Sequence, residues 1–316
     1  MKYIKVIKSI AFLMIFFLII NFAGNIFIDR TRKSDLDLEK DNSIDYFIIG
    51  DSEAYTGISP MEIWRKYGFT GYNLGVSAQR LQDTYYLFRK SLKKQSPKVV
   101  MFETNTIYSI LGFNSETDKV FKSFFNEYFE IYKYHNDWKK FKFFNKKSDD
   151  TNSEDVKGTK FKGFKFNNNV KPYTEEICLD ETDEVQEISG LQKYYLNEII
   201  KLCNKNNIQL IFYSNPTPVN WKYAKHNAVK NFAEENNLQF IDLNLKNDEL
   251  KIDWTNETYD GGDHVNFSGA KKITEYIGKY LSQNTSLVDH RQDEEYKEAW
   301  NYNLNEYLKD TYQVEN

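Results

Sequence analysis

Apolar and polar positions along this chain fall into blocks whose period switches between strand and helix. Tyr46–Ile49 is an apolar run that stops at Gly50, which reads as a buried strand closed by a tight turn. In Ser59-Pro60-Met61-Glu62, Ser stands at an N-cap, Pro at the first helical position and Glu where it closes a capping box. The helix opened there carries Ile63 and Tyr67. A short strand is expected at 72–74. Leu81, Tyr85, Phe88 and Leu92 then recur at helical spacing ahead of Pro97. The run at 99–102 is apolar on both faces, as a central parallel strand is.

This alternation stops near residue 110 and resumes near 191. The intervening stretch begins aromatic, with Phe121, Phe124, Phe125, Tyr128, Phe129, Tyr132 and Trp138 fitting one or two helices. Residues 146–171 are polar and rich in Gly and Asn. So long a stretch is unusual for a structureless loop. It reads as an insertion over 110–190 that either covers the sheet edge or forms a lid or docking surface. Beyond it come a helix at 191–204, a strand at 208–213, the rigid loop Ser214-Asn215-Pro216-Thr217-Pro218, a helix at 221–236 and a strand at 238–243. Ser268 is expected to cap a last helix whose Ala270, Ile273, Ile277 and Leu281 form a buried stripe. Residues 285–316 read as an acidic, Tyr-rich helical appendix. The rhythm predicts an α/β fold, a parallel sheet of about five strands with helices on both faces.

Composition narrows the function. The chain has 316 residues and a formal net charge of −4, which argues against a nucleic-acid partner held by phosphate neutralisation. Two cysteines, Cys178 and Cys203, are too few for a disulfide framework or a zinc site. Cys203 lies in an amphipathic pattern and is expected to be buried; a Cys178–Cys203 bridge stays open. Residues 10–28 form an apolar segment of roughly 28 Å at about 1.5 Å per residue, membrane length. Lys2, Lys5 and Lys8 precede it, and Arg30, Arg32 and Lys33 follow. Asn21 and Phe22 stand where a signal-peptide cleavage site needs small residues. The expectation is therefore an uncleaved anchor at the cell membrane, with 1–9 cytoplasmic, 29–43 a charged stalk and the globular part outside. A cleaved signal peptide is the alternative.

The candidate chemistry starts at Ile48-Ile-Gly-Asp-Ser52-Glu-Ala-Tyr-Thr56. Ser52 is lifted from the carboxyl end of the first strand, where open α/β sheets bind ligands. The bland reading is a βα turn in which Asp51 or Ser52 caps the next helix. A serine becomes a nucleophile when a base reaches it. His264 supplies a candidate in Asp260-Gly-Gly-Asp263-His264-Val-Asn266-Phe-Ser-Gly269, a carboxylate-rich turn after the last strand. His135, His226 and His290 lack that setting, and His226 is expected on a surface helix. No convincing metal-ligand set and no nucleotide-binding glycine fingerprint are visible, so no cofactor is expected.

Together these blocks resemble the SGNH/GDSL family of serine esterases and acyltransferases. Gly50-Asp51-Ser52 matches its nucleophile block, and His264, Asn266 and Gly269 match its histidine block in spacing. Gly75, in Tyr72-Asn-Leu-Gly75, and Asn105, after the 99–102 run, match two further motifs. The resemblance implies a three-layer flavodoxin-like fold over 44–284, with Ser52 and His264 catalytic. It implies an oxyanion hole of the Ser52 and Gly75 N–H groups and the Asn105 side chain. Asp51 would shape the turn and Asn266 would brace the histidine loop. Two positions depart from the family pattern: Glu103 replaces a glycine, and Gly261 stands where the triad aspartate belongs. Asp260 is expected to curl back to the imidazole through Gly261-Gly262, with Asp263, adjacent to the histidine, serving the loop or the substrate.

Pro216 and Trp221 are candidates to line an acyl or sugar pocket, with plain packing the alternative. Membrane-anchored relatives imply transfer or hydrolysis of acetyl or D-alanyl groups on a cell-envelope polysaccharide or teichoic acid. They also imply a multi-spanning membrane acyltransferase as partner. A non-catalytic glycan-binding scaffold of the same fold is the rival reading.

Overall fold

The computed structural model describes residues 35–108, 160–177 and 179–312, with scattered positions between 4 and 16. The chain divides into two compact units, 1–37 with 112–152 and 38–111 with 153–316. In the first, the described positions between 4 and 16 are helical, and the rings of Phe12 and Phe16 stack 6.2 Å apart. Most of the expected anchor, the aromatic part of the insertion, His135 and Cys178 lie outside the described residues. No helix among the described residues is long and apolar enough to cross a membrane.

The second unit is an α/β sandwich. Its sheet has five parallel strands in the order β2-β1-β3-β4-β5. These are β1 (Tyr46–Ile49), β2 (Gly71–Asn73), β3 (Val99–Glu103), β4 (Gln209–Ser214) and β5 (Gln239–Asp242). Every residue of β1 and β3 is buried, which is why both read as unbroken apolar runs with helices covering both faces. Tyr46 faces Val99 and Ile49 faces Phe102, so β1 and β3 end almost level, one releasing Gly50 and the other Glu103.

The connecting helices are α1 (Ser52–Gly57), α2 (Pro60–Tyr67), α3 (Leu81–Ser91), α4 (Gly190–Lys205), α5 (Tyr223–Glu235), α6 (Asn247–Leu250) and α7 (Phe267–Asn284), with α8 (Glu294–Tyr312) at the end. A 3-10 turn, Thr104–Tyr108, follows β3. Two local expectations change. Pro60 does open α2, but Ser59 makes no side-chain cap bond. Its hydroxyl pairs with Tyr307 Oη of α8 at 3.0 Å, and Glu62 pairs with Arg65, so the capping box does not form. Helix α7 is capped by Asn266 rather than Ser268: the Asn266 side chain accepts from the N–H groups of Ser268 and Gly269. An intact capping box occurs at α4, between Ser189 and Gln192.

Helix α8 buries Trp300, Asn303, Tyr307 and Thr311. Trp300 sits 5.0 Å from Trp64 of α2, and Tyr307 packs edge-on against Phe161 at 5.4 Å. The 160–164 segment lies beside β2, with the Asn73 N–H donating to the Lys162 carbonyl at 2.8 Å. Lys162 is itself buried, its ammonium 2.7 Å from Glu39 and 4.3 Å over the Trp300 ring. A buried charge needs such a partner. Cys203 is buried in α4, and burial pushes its thiol up to about 12.

Candidate active site

Gly50 makes the turn that carries Ser52 sterically feasible. Its φ is +153°, and a Cβ there would meet the Glu103 Cβ at 2.7 Å. The chain then enters α1, whose N-cap is Asp51, accepting from the Glu53 N–H at 3.1 Å. Ser52 is therefore the first helical residue, half-buried at the carboxyl end of β1. Two asparagines clamp α1 from neighbouring strand ends. Asn73 donates to the carbonyls of Ala54 at 2.8 Å and Ile58 at 3.2 Å, and Asn215 donates to the Glu53 carbonyl. The turn that carries Ser52 is thus rigid and cross-braced, as a preorganised site requires.

Gly75 lies against the same turn. A Cβ on it would come within 2.8 Å of the Asp51 carbonyl and 2.9 Å of the Tyr55 nitrogen. Its own N–H donates to Asn73 Oδ1 at 3.0 Å, so this donor is already engaged. Asn105 sits in the turn after β3, where Glu103 organises the backbone. The fully buried Glu103 carboxylate accepts from the N–H groups of Asn105 at 3.0 Å and Thr106 at 3.3 Å, and reaches that of Asn215 at 3.5 Å. Glu103 thus replaces the glycine of the resembled pattern with an acceptor that shapes the Asn105 loop. Burial, then the charge of Asp51, hold its carboxyl well above the usual range, against the pull of those N–H groups.

The histidine loop is built around Thr258. Its hydroxyl donates to the His264 carbonyl at 2.7 Å and accepts from the Gly262 N–H at 2.8 Å, while Thr258 and Val265 form an antiparallel bridge. Gly261 and Gly262 have φ of +89° and +94°, a conformation that side chains disfavour. The reversal brings Asp260 back onto His264: one carboxylate oxygen accepts the His264 N–H at 2.8 Å, the other lies 2.6 Å from Nδ1. Asp263 Oδ2 is 3.5 Å from the same nitrogen, and its Oδ1 accepts from Asn220. Tyr259 stacks on the imidazole, centroids 5.6 Å apart. Asn266 ties the loop to the carbonyls of Asn256 and Asn169 at 2.8 and 3.2 Å.

The two ends of the chain's motif set meet at Glu53, the residue after Ser52. One carboxylate oxygen each of Glu53 and Asp263 and a ring nitrogen of His264 lie within 4.8 Å of one another. This spacing would admit a cation, a ligand set that spacing in sequence does not disclose. Glu53 is buried, and among the described residues its Oε1 has no hydrogen-bond partner. Burial, then the neighbouring Glu103, Asp51 and Asp263, push its carboxyl well above the ordinary range, favouring the neutral form. No hydrogen bond joins Ser52 Oγ to His264 in this conformation.

Sequence reading overlooked Glu53, Asn220, Tyr259 and Lys225. Glu53 stands inside the nucleophile block and was the most findable; the others become neighbours through the fold. Trp221 does not line a pocket: it is buried, with its indole N–H donating to Asp242 at 2.9 Å. His226 is no solvated surface residue either, since Nδ1 lies 2.8 Å from Asp242. His290 pairs with Asp45 at 2.7 Å.

The chain matches no protein-family model and no curated protein sequence. It is similar to solved structures at low identity. The psychrotrophic esterase EstA from Pseudoalteromonas sp. shares 13% identity at TM-score 0.40, over 75% of this chain and 96% of that one. A GDSL-like lipase from Bacteroides thetaiotaomicron shares 11% at TM-score 0.37, over 75% and 87%. The acetyl xylan esterase AlAXEase shares 14% at TM-score 0.39, over 75% and 100%.

Proposed function

We propose that this chain is a serine-dependent acyl-ester enzyme working through an acyl-enzyme on Ser52. The observation that carries the reading is the pairing of Asp260 with His264 Nδ1 at 2.6 Å, in a loop whose imidazole borders Glu53, the residue next to Ser52. Ser52 Oγ attacks the acyl carbonyl and gives its proton to the imidazole nitrogen that Asp260 does not hold. Asp260 fixes the tautomer and stabilises the imidazolium that forms. The oxyanion is met by the Ser52 N–H and the Asn105 amide, with the Gly75 N–H shared between Asn73 and substrate. The imidazolium then protonates the leaving alcohol. Water, or a hydroxyl of an acceptor, takes the acyl group in the second half, with His264 again as base.

The acceptor we infer is a cell-envelope polysaccharide or teichoic acid, outside the membrane, with acetyl or D-alanyl as the acyl group. Support comes from the membrane-length apolar segment and charged stalk ahead of the domain, and from the motif resemblance. A multi-spanning acyltransferase would supply the acyl group.

The test is covalent labelling with a fluorophosphonate, followed by peptide mapping. Wild type should carry the label on Ser52, and Ser52→Ala and His264→Ala should not. Full turnover of a small acyl ester by Ser52→Ala would end this reading.

A further inference from the structure

The oxyanion site contains a cation that the motifs do not mention. Lys225, on the first turn of α5, points its ammonium at Asn105 Oδ1, 3.1 Å away. It donates at 2.5 Å to the Asn220 carbonyl, and lies 5.0 Å over the Tyr108 ring and 5.8 Å from that of Trp221. Asn220 in turn donates to Asp263, so the lysine links the asparagine turn to the histidine loop.

We infer that Lys225 is a positioning residue for the oxyanion site: its ammonium holds the Asn105 amide with Oδ1 turned inward, leaving Nδ2 as the donor for the reacting carbonyl. This rests on the acyl-enzyme reading above. An ammonium has three donors and no acceptor, so the amide end facing Nζ must be the oxygen; the flipped amide would set N–H₂ against N–H₃⁺. Among the described residues Nδ2 has no acceptor of its own. An asparagine free to flip would present an oxygen to the developing oxyanion for part of the time, which repels charge instead of stabilising it.

The lysine's surroundings keep it in place. Burial holds its ammonium below the ordinary lysine value, against the opposing pull of Glu103, Glu53 and Asp51. These three carboxyls border the nucleophile turn, with burial holding Glu53 and Glu103 towards their neutral forms, so a plain electrostatic role for Lys225 is the rival to positioning. A counter-charge alone would be indifferent to the orientation of Asn105, and that difference separates the two roles.

The experiment measures kcat and KM of the full chain on a small acetyl ester for wild type, Ser52→Ala, Asn105→Ala, Lys225→Met, Lys225→Arg and the Asn105→Ala/Lys225→Met double variant. Methionine keeps an unbranched apolar stem of similar length while removing the donors. Removing one oxyanion donor typically costs about 10²- to 10³-fold in kcat, and losing its positioning should cost roughly 10- to 100-fold of that, with KM within about threefold. Lys225→Arg, which still donates, should recover most of the loss. The double variant should be no slower than Asn105→Ala, because both changes remove one unit. If Lys225→Met unfolds, Lys225→Gln enters the same cycle.

A Lys225→Met kcat equal to wild type, or losses that multiply in the double variant, would overturn the inference while Ser52→Ala stays inactive. An active Ser52→Ala would overturn the acyl-enzyme reading and this inference with it.

Discussion

Two histidine–aspartate pairs stand at the carboxyl side of the same sheet and have opposite surroundings. His226 Nδ1 lies 2.8 Å from Asp242 and His264 Nδ1 2.6 Å from Asp260, so the pair itself does not distinguish them. Asp242 is saturated: it also accepts the Trp221 indole at 2.9 Å and the backbone and side-chain amides of Asn244, each at 2.9 Å. The His226 ring packs between Tyr223 and Phe240, at centroid distances of 5.1 and 5.7 Å. That arrangement ties α5 to the end of β5. Both carboxylate oxygens of Asp260 engage His264, whose imidazole borders the Glu53 and Asp263 carboxyls near Ser52. Asp242 thus serves framework donors as well as its histidine, whereas the imidazole of His264 lies beside the Glu53 carboxyl next to Ser52, and the role proposed for His264 rests on that difference.

The sharpest break of this comparison is alanine at each histidine. His264→Ala, like Ser52→Ala, should cut turnover by roughly 10⁴- to 10⁶-fold with little change in thermal stability. His226→Ala should keep kcat within a fewfold and lose about 1–3 kcal/mol of stability, since it takes a hydrogen-bond partner from the buried Asp242 carboxylate. Steady-state kinetics and urea denaturation of both variants decide it; a kinetic loss at His226 matching that at His264 would erase the distinction.

The aspartates extend the contrast at smaller scale. Asp260→Asn should lower kcat by about 10⁴-fold by presenting the wrong hydrogen-bonding partner to Nδ1. Asp242→Asn should lower stability by about 1–3 kcal/mol and leave kcat near wild type, because an amide there turns a donor towards Trp221 or Asn244. Asp263→Asn falls between, with a loss of no more than about 10-fold, since its carboxylate is 3.5 Å from Nδ1 and engaged by Asn220. An Asp263→Asn defect as deep as that of Asp260→Asn would move the acid to Asp263.

Much of this was legible in residue order. Apolar runs buried on both faces announce β1 and β3, and Gly50 ahead of Asp51-Ser52 marks the turn. The glycine pair at 261–262 anticipates the reversal that returns Asp260 to His264, because positive φ at both positions needs residues without Cβ. What stayed hidden depends on contacts between segments far apart in sequence. The α2 capping box looked intact, yet Ser59 answers to Tyr307 across 248 positions. Nothing local distinguishes Lys225 from a solvated helix lysine, or His226 from a surface histidine. Their partners Asn105 and Asp242 arrive only when the sheet is assembled.

The smallest effect concerns pH, and it too separates the two regions. On the His264 side, burial and neighbouring carboxyls hold Glu53 well above the ordinary carboxylate range; the His226 side is walled by aromatic rings. With the folded value raised, Glu53 keeps its proton over a pH window in which the unfolded chain has lost it. Its contribution to stability is therefore fully present below the ordinary carboxylate range and declines as pH rises towards the folded value. Within that window the decline is at most about 1.4 kcal/mol per pH unit. Glu53→Gln carries no proton to lose, so its stability relative to wild type should improve steadily from pH 5 to pH 8. Urea unfolding of the two proteins across that range measures the difference. A gap that stays constant with pH would mean that Glu53 ionises in the folded protein as it does in the unfolded chain, and that the carboxyl cluster beneath Ser52 is more hydrated than its burial implies.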